Sequence, residues 1–326
     1  MNIDKIDKNL LRMLIENSRT PIARIAKQLR VSREVANYRL SRLRKNGVIL
    51  SFVTEINTIK LGFIGAAVFV NVKATKQNDF KQFLSNQPFV SWVAELSGIW
   101  SFGFSIIGKT NEDLDSKFLQ IYSQFKDDIL DHRFTIHKKN TYFYEKYLEE
   151  KTIISKKLIK TNKIFKVNLG SLSNKEADAK DKVVLKELSG NSRVDSVSMA
   201  KKIKLTAPAV AKRIKNLEDE GYINKYSIFV DVSQLSLFQY SVFVVNKSLD
   251  NKKRLLSFLA EHSNVSFVAE YVGDEFVEFG LFVKNPYELR ENLQQIEEQF
   301  PDNRVMEVSL FQKEIISIGP PKCVFE

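Results

Sequence analysis

The sequence predicts an α+β protein built from two tandem copies of one unit. In each copy three short helices and a β wing precede a sheet domain of βαββαβ order. Three observations carry this. The 326-residue chain matches itself at an offset of 174 residues. In both copies the apolar spacing switches from helical to alternating at the same place. Positive charge gathers in the helical part of each copy: residues 1–50 hold 12 Lys and Arg against 4 Asp and Glu, and residues 178–225 hold 11 against 7.

The self-match runs without a gap for about 60 residues. Asp7-Lys8 matches Asp181-Lys182, Asn17-Ser-Arg19 matches Asn191-Ser-Arg193, and Ala26-Lys27 matches Ala200-Lys201. Arg39, Leu43, Gly47 and Ile49 match Arg213, Leu217, Gly221 and Ile223. After a one-residue slip, Val90-Ser-Trp-Val-Ala-Glu95 matches Val265-Ser-Phe-Val-Ala-Glu270. A unit of this length is a whole domain pair, too long for a solenoid repeat. The expected division is 1–60, 61–148, a basic linker at 149–177, 178–235 and 236–326.

Within the first copy, Ile6, Leu10, Leu11 and Leu14 stand at helical spacing. A break at Asn17–Pro21 starts a second helix, with Thr20 expected as cap and Pro21 as its first residue. Ile22, Ile25, Ala26 and Leu29 form its inner face. Arg30-Val31 reads as a tight turn and Ser32 as the cap of a third helix, whose inner residues are expected to be Val35, Ala36, Leu40 and Leu43. Gly47 ends that helix, and residues 48–57 alternate like a hairpin strand.

These residues, from Asp7 through Asn-Ser-Arg19, Ile25-Ala26, Val31-Ser32, Arg39 and Leu43 to Gly47-Val-Ile49, resemble the N-terminal helix-turn-helix of the Lrp/AsnC regulators. The second copy keeps the pattern from Asp181 to Ile223. The resemblance implies two winged helix-turn-helix domains that bind double-stranded DNA, with the third helix as the reading helix. The expected contacts in the first copy are Ser32, Arg33, Glu34, Asn37, Tyr38, Arg39, Ser41, Arg42 and Lys45. Asn37 suits adenine, and Arg33 or Arg42 suits guanine or phosphate. In the second copy they are Thr206, Ala207, Val210, Lys212, Arg213 and Lys215. Here the N-terminal end of the helix, Thr206-Ala-Pro-Ala-Val-Ala211, lacks polar base readers. The first head is therefore expected to specify and the second to grip phosphate.

Beyond the wing, strands are expected at 63–73, 89–96, 100–107 and 129–138, and helices at 77–86 and 111–125. This βαββαβ order is ferredoxin-like, and residues 238–313 repeat it. It is also the order of the effector-binding and oligomerising domain that the resemblance implies. Val68, Trp92, Phe102 and Phe104 predict sheet faces too apolar to stay wet. The two sheet domains are expected to pair within the chain as a pseudo-dimer, which leaves homo-oligomers open. If a small-molecule effector binds, the resemblance puts it at the turn between the middle strands, at Gly98, Ser101, Gly273 and Asp274. The family's aspartate position holds Ser101 in one copy and Phe276 in the other.

No enzyme is expected, and no cofactor or metal. Gly-rich phosphate loops, CxxC and HExxH are absent. His132 and His137 are five apart on a strand and point to opposite faces. Siroheme decarboxylases share the same two-unit resemblance and supply the enzymatic alternative, yet Ser91-Trp92-Val93 and Ser266-Phe267-Val268 carry no histidine where such enzymes have one. A sequence-tolerant architectural DNA binder is the other alternative. A lone Cys323 precludes an intrachain disulfide, and no apolar stretch reaches the ~20 residues of a membrane span. Together these make a cytoplasmic protein the expectation.

Overall fold

The computed structural model describes residues 3–143, 146–148, 176–246, 248–273, 276–317 and 319–326. The basic linker expected at 149–177 falls almost wholly outside them. The chain divides into two compact units: one from the described parts of 1–63, 168–235 and 317–326, the other from those of 64–167 and 236–316. Each unit therefore combines parts of both copies.

The first unit holds both heads. Helices α1 (Lys5–Glu16), α2 (Ile22–Leu29) and α3 (Arg33–Lys45) precede strand β1 (Ile49–Ile56) in copy one. Helix α1 starts with a reciprocal capping box between Asp4 and Asp7. Helix α2 starts differently from expectation: Pro21 is its cap residue and makes no side-chain bond, and Thr20 lies one position outside. The α2–α3 turn places Arg30 in the left-handed region at φ 56°, and Gly47 does the same after α3 at φ 72°. Leu10, Leu11, Leu14, Ile25, Ala36 and Leu43 are fully or almost fully buried. Val35, expected inside, is 40% exposed.

The wing strand differs from a hairpin. Strand β1 pairs antiparallel with its equivalent in copy two, with Phe52 opposite Ile228, Val53 opposite Ser227 and Thr54 opposite Tyr226. Val53 and Ser227 are 174 residues apart, so the local two-fold axis passes between them. A single strand leaves its backbone polar groups open on both edges, and the equivalent strand satisfies one of them. In the second head α6 (Ala179–Gly190), α7 (Ser196–Ile203), α8 (Ala207–Asp219) and β6 (Ile223–Val230) repeat the order. The C-terminal turn at Lys322–Phe325 packs on this head and buries Val324.

The second unit is one closed barrel made by both sheet domains. Copy one supplies β2 (Ile64–Val72), α4 (Gln77–Ser85), β3 (Val90–Ser97), β4 (Phe102–Gly108), α5 (Asn111–Gln124) and β5 (Ile129–Tyr142). Copy two supplies β7 (Phe238–Val245), α9 (Leu249–Glu261), β8 (Val265–Tyr271), β9 (Phe276–Val283), α10 (Pro286–Gln299) and β10 (Arg304–Ser317). The strand order is β10-β3-β4-β2-β5-β8-β9-β7. Strand β5 runs four residues past its expected end because that extension pairs with β8, from Lys139 opposite Glu270 to Tyr142 opposite Phe267.

The two faces of the copy-one sheet are both buried, but by different things. Phe102 and Phe104 pack on Phe80 of α4, and Val68 alternates onto that helical side. The face that meets copy two is built instead from Ala67, Phe69, Ala94, Leu96 and Trp100, with Trp92 partly buried beside them. Of the four residues expected to demand cover, only Trp92 is covered by the other copy.

Candidate nucleic-acid interface

Each head is held together by a buried acidic residue. The Asp7 side chain is fully buried and pairs with Arg39 Nη1 at 2.9 Å and with Arg42 Nη2. Arg39 also bonds Asp4 at 2.8 Å. Copy two repeats the clasp, with Arg213 Nη1 2.7 Å from Asp181 and 2.8 Å from Asp178. The clasp ties the start of the first helix to the middle of the third and so fixes the pose of the third helix. Arg39, Arg42 and Arg213, expected as DNA contacts, are tied to these acids through one guanidinium nitrogen each and keep 18%, 30% and 28% of the side chain exposed. A signal for the clasp does exist in the sequence, since Asp7 and Arg39 recur together at the same offset.

The remaining α3 candidates stand outward. Ser32 caps the helix, accepting from Val35 N–H at 3.2 Å. Arg33, Glu34, Asn37, Tyr38, Ser41 and Lys45 are exposed, Tyr38 by 65%. Glu34 has its carboxyl held below the usual range by its own backbone N–H and the Ser32 hydroxyl. It stays ionised, suited to a cytosine amino group and unsuited to phosphate.

The second head presents another surface. Thr206 caps α8, accepting from Ala209 N–H at 3.4 Å. Val210 is fully buried in that head's core, so its expected contact with DNA does not stand. It occupies the position of Ala36, which is buried as well. Ala207 is half-buried, whereas Lys212 and Lys215 are exposed. At the end of the helix Glu218 and Asp219 replace Arg44 and Lys45. Glu218 accepts from the Tyr226 hydroxyl at 2.6 Å. Arg44 instead lies 5.4 Å from the centre of the Phe52 ring, the Tyr226 equivalent.

Between the heads, Arg19 Nη1 donates to Ser192 O at 2.7 Å, and Arg193 Nη2 to Thr20 O at 3.4 Å. Burial, with repulsion from Arg44 and Arg19, lowers the Arg193 pKa.

Of the turn residues expected to meet an effector, Ser101 and Gly98 are structurally engaged. Ser101 Oγ accepts from Val72 N–H at 2.8 Å and bonds Asn71 Oδ1 at 3.0 Å. A Cβ on Gly98 would lie 2.9 Å from Val308 O. Gly273 takes φ 99°, and Asp274 lies outside the described residues. Among the described residues no group of three or more His, Cys, Asp or Glu could hold a metal ion. No described helix is long and apolar enough to cross a membrane.

Comparison with known proteins agrees with this geometry. The family model for winged helix-turn-helix DNA-binding domains matches twice, at residues 3–49 and 178–224. The HTH-type transcriptional regulator FL11 of Pyrococcus furiosus is 30% identical over 115 residues, 35% of this chain and 76% of that protein. The regulator LrpB of Bacillus subtilis is 33% identical over 102 residues, 30% of this chain and 66% of its own length. Such matches span one copy. The whole duplicated fold is similar to the crystal structure of the siroheme decarboxylase NirDL, with a TM-score of 0.64 at 12% identity over 98% of this chain and 94% of that one. That likeness is one of fold. The chain belongs to the Lrp/AsnC family of helix-turn-helix, DNA-binding transcription regulators, with the family's unit present twice in one polypeptide.

Proposed function

We propose that this chain regulates transcription as a single-chain pseudo-dimer that binds an asymmetric site on double-stranded DNA. The first head reads bases and the second holds the backbone. The observation that carries this reading is the contrast between two equivalent helices. Helix α3 exposes Arg33, Asn37, Tyr38 and Ser41, while α8 has Ala207, Ala211, Lys212 and Lys215 at the same positions. Base discrimination needs donors and acceptors aimed at base edges, whereas lysines on the outer face serve phosphates. Selection from random duplexes should return one well-defined half-site beside a degenerate one at about one helical turn's spacing. A perfect palindrome would overturn the reading.

The chain acts by binding, with no catalytic step. Where siroheme decarboxylases are expected to carry histidine, Ser91 Oγ donates to Ser105 O at 3.3 Å and Trp92 Nε1 to Glu314 Oε1 at 2.8 Å. Phe267 packs edge-on against Phe311. Protein purified with a porphyrin absorbance band would count against this. The Ser101 hydroxyl is committed to the β2 end, to Val72 N–H and Asn71 Oδ1, and not to a small-molecule effector.

A further inference from the structure

The two copies meet through residues at equivalent positions, and at one of them the charges are opposite. Strand pairing places Phe69 opposite Arg133 in copy one and Phe243 opposite Glu307 in copy two. Phe69 and Phe243 are 174 residues apart and touch edge-on at 5.1 Å, which marks the pseudo-two-fold axis inside the barrel. Arg133 and Glu307 are therefore the same position of the repeat, also 174 apart. The arginine sends both Nη1 and Nη2 to the glutamate, Nη1 at 2.8 Å, in a bidentate pair. Glu307 is 7% exposed. The guanidinium carbon lies 5.4 Å from the Trp100 ring centre and 5.3 Å from those of Phe243 and Phe276. Trp100 Nε1 donates to Glu307 Oε2 at 2.9 Å.

A unit pairing with an identical unit carries the same residue at both places. Two copies of repeat 1 would bring two largely enclosed arginines together, each side chain only 21% exposed, and two copies of repeat 2 would oppose two buried glutamates. Repeat 2 would also bring a further buried acid from each copy, because Glu278 lies opposite Phe243 where Gly103 lies opposite Phe69. A buried ion pair contributes little net stability over apolar packing, but a buried like-charge pair is strongly disfavoured. Its effect is discrimination between partners.

We propose that the Arg133–Glu307 pair is a partner-selection device: the sheet face of repeat 1 accepts repeat 2 and rejects another repeat 1. A second copy of this chain can then join through these faces only by exchanging repeats, and a single-unit protein that pairs with itself cannot enter the barrel on equal terms.

Full-length charge reversals test this. R133E carries two acids at the seam and E307R two arginines, and each alone should lose the closed single-chain form. Its folding equilibrium constant should drop on the order of a hundredfold. Co-expressed, the two variants complement each other, because repeat 1 of each matches repeat 2 of the other. Light scattering after size exclusion, with native mass spectrometry, should find a 1:1 heterodimer that neither variant forms alone. The double reversal R133E/E307R should restore the single-chain form, even though Trp100 loses its acceptor. The proposal is overturned if either single reversal stays a monomer with the wild-type unfolding midpoint. It is equally overturned if the double reversal is no better than the singles, or if co-expression yields no heterodimer from soluble variants.

Discussion

The Oγ atoms of Ser18 and Ser192 lie 2.6 Å apart, buried, and 174 residues apart in the chain. They are the same residue of the two heads, joined across their local two-fold axis. Each backbone also bonds the other copy's strand: Ser18 N–H to Tyr226 O at 3.1 Å, and Ser192 N–H to Phe52 O at 3.1 Å. Thr54 Oγ1 adds a bond to Leu188 O at 2.7 Å, and Ser227 Oγ one to Ile15 O at 3.0 Å. The heads are thus joined by buried polar groups whose partners lie in the other copy.

Removing one serine hydroxyl leaves the other buried without its partner. Ser18→Ala or Ser192→Ala should each cost about 1–3 kcal/mol, while the double substitution should cost clearly less than their sum. Urea denaturation of the full chain gives the cycle. Strict additivity would mean that the hydroxyls do not interact.

The Asp7 clasp separates folding from reading. Asp7 is fully buried, but Arg39 and Arg42 are 18% and 30% exposed, so water offsets part of the loss. Asp7→Ala should lower stability by about 2–3 kcal/mol. Asn37→Ala and Arg33→Ala, on the exposed face, should leave the melting temperature within error and weaken specific DNA binding by about 1–3 kcal/mol each. Calorimetry and binding titrations on the same three proteins distinguish the two classes.

The helices, their order and the sheet domains were legible because spacing and caps are local signals, and the duplication let each copy check the other. The partner of β1 was not legible, since an alternating strand has the same pattern whether it pairs with a hairpin neighbour or with its equivalent 174 residues away. The third helix lies where its spacing and its Ser32 cap put it, but which of its side chains turn to Asp7 was not legible. Arg39 and Arg42 read as DNA contacts because an arginine on an outer helical face gives no sign that Asp7 will reach it. Val210 reads as an outward residue because Ala-Pro-Ala-Val-Ala has no amphipathic contrast to show which face is inward.

His137 gives the barrel a predictable acid response. Its ring stacks on Tyr271 at 5.3 Å and approaches Ser105 Oγ at 3.5 Å. Burial lowers its pKa from 6.5 to about 4. The folded value lies below the unfolded one, so the contribution is complete above pH 6.5 and declines as pH falls from there toward 4. In that window the unfolded chain takes up a proton that the folded chain refuses. Phe311 stands at the same position of repeat 2, which makes His137→Phe the natural control. The substitution should flatten the difference in unfolding free energy between pH 7 and pH 4, whatever it does to absolute stability. An unchanged slope would show that groups other than His137 govern it.

Every lysine that neutralises a phosphate releases counterions, and the salt slope of binding falls by about one for each such lysine removed. Lys212 and Lys215 lie exposed on α8, whose N-terminal stretch from Ala207 to Ala211 offers no polar side chain to a base. Substituting both by alanine should weaken binding to cognate and random duplexes alike and reduce the salt slope by about two. Asn37→Ala should do the opposite: it lowers affinity for the cognate duplex only and leaves the slope intact. If the lysine substitutions change the preferred sequence instead, the second head reads bases and the division between the heads fails.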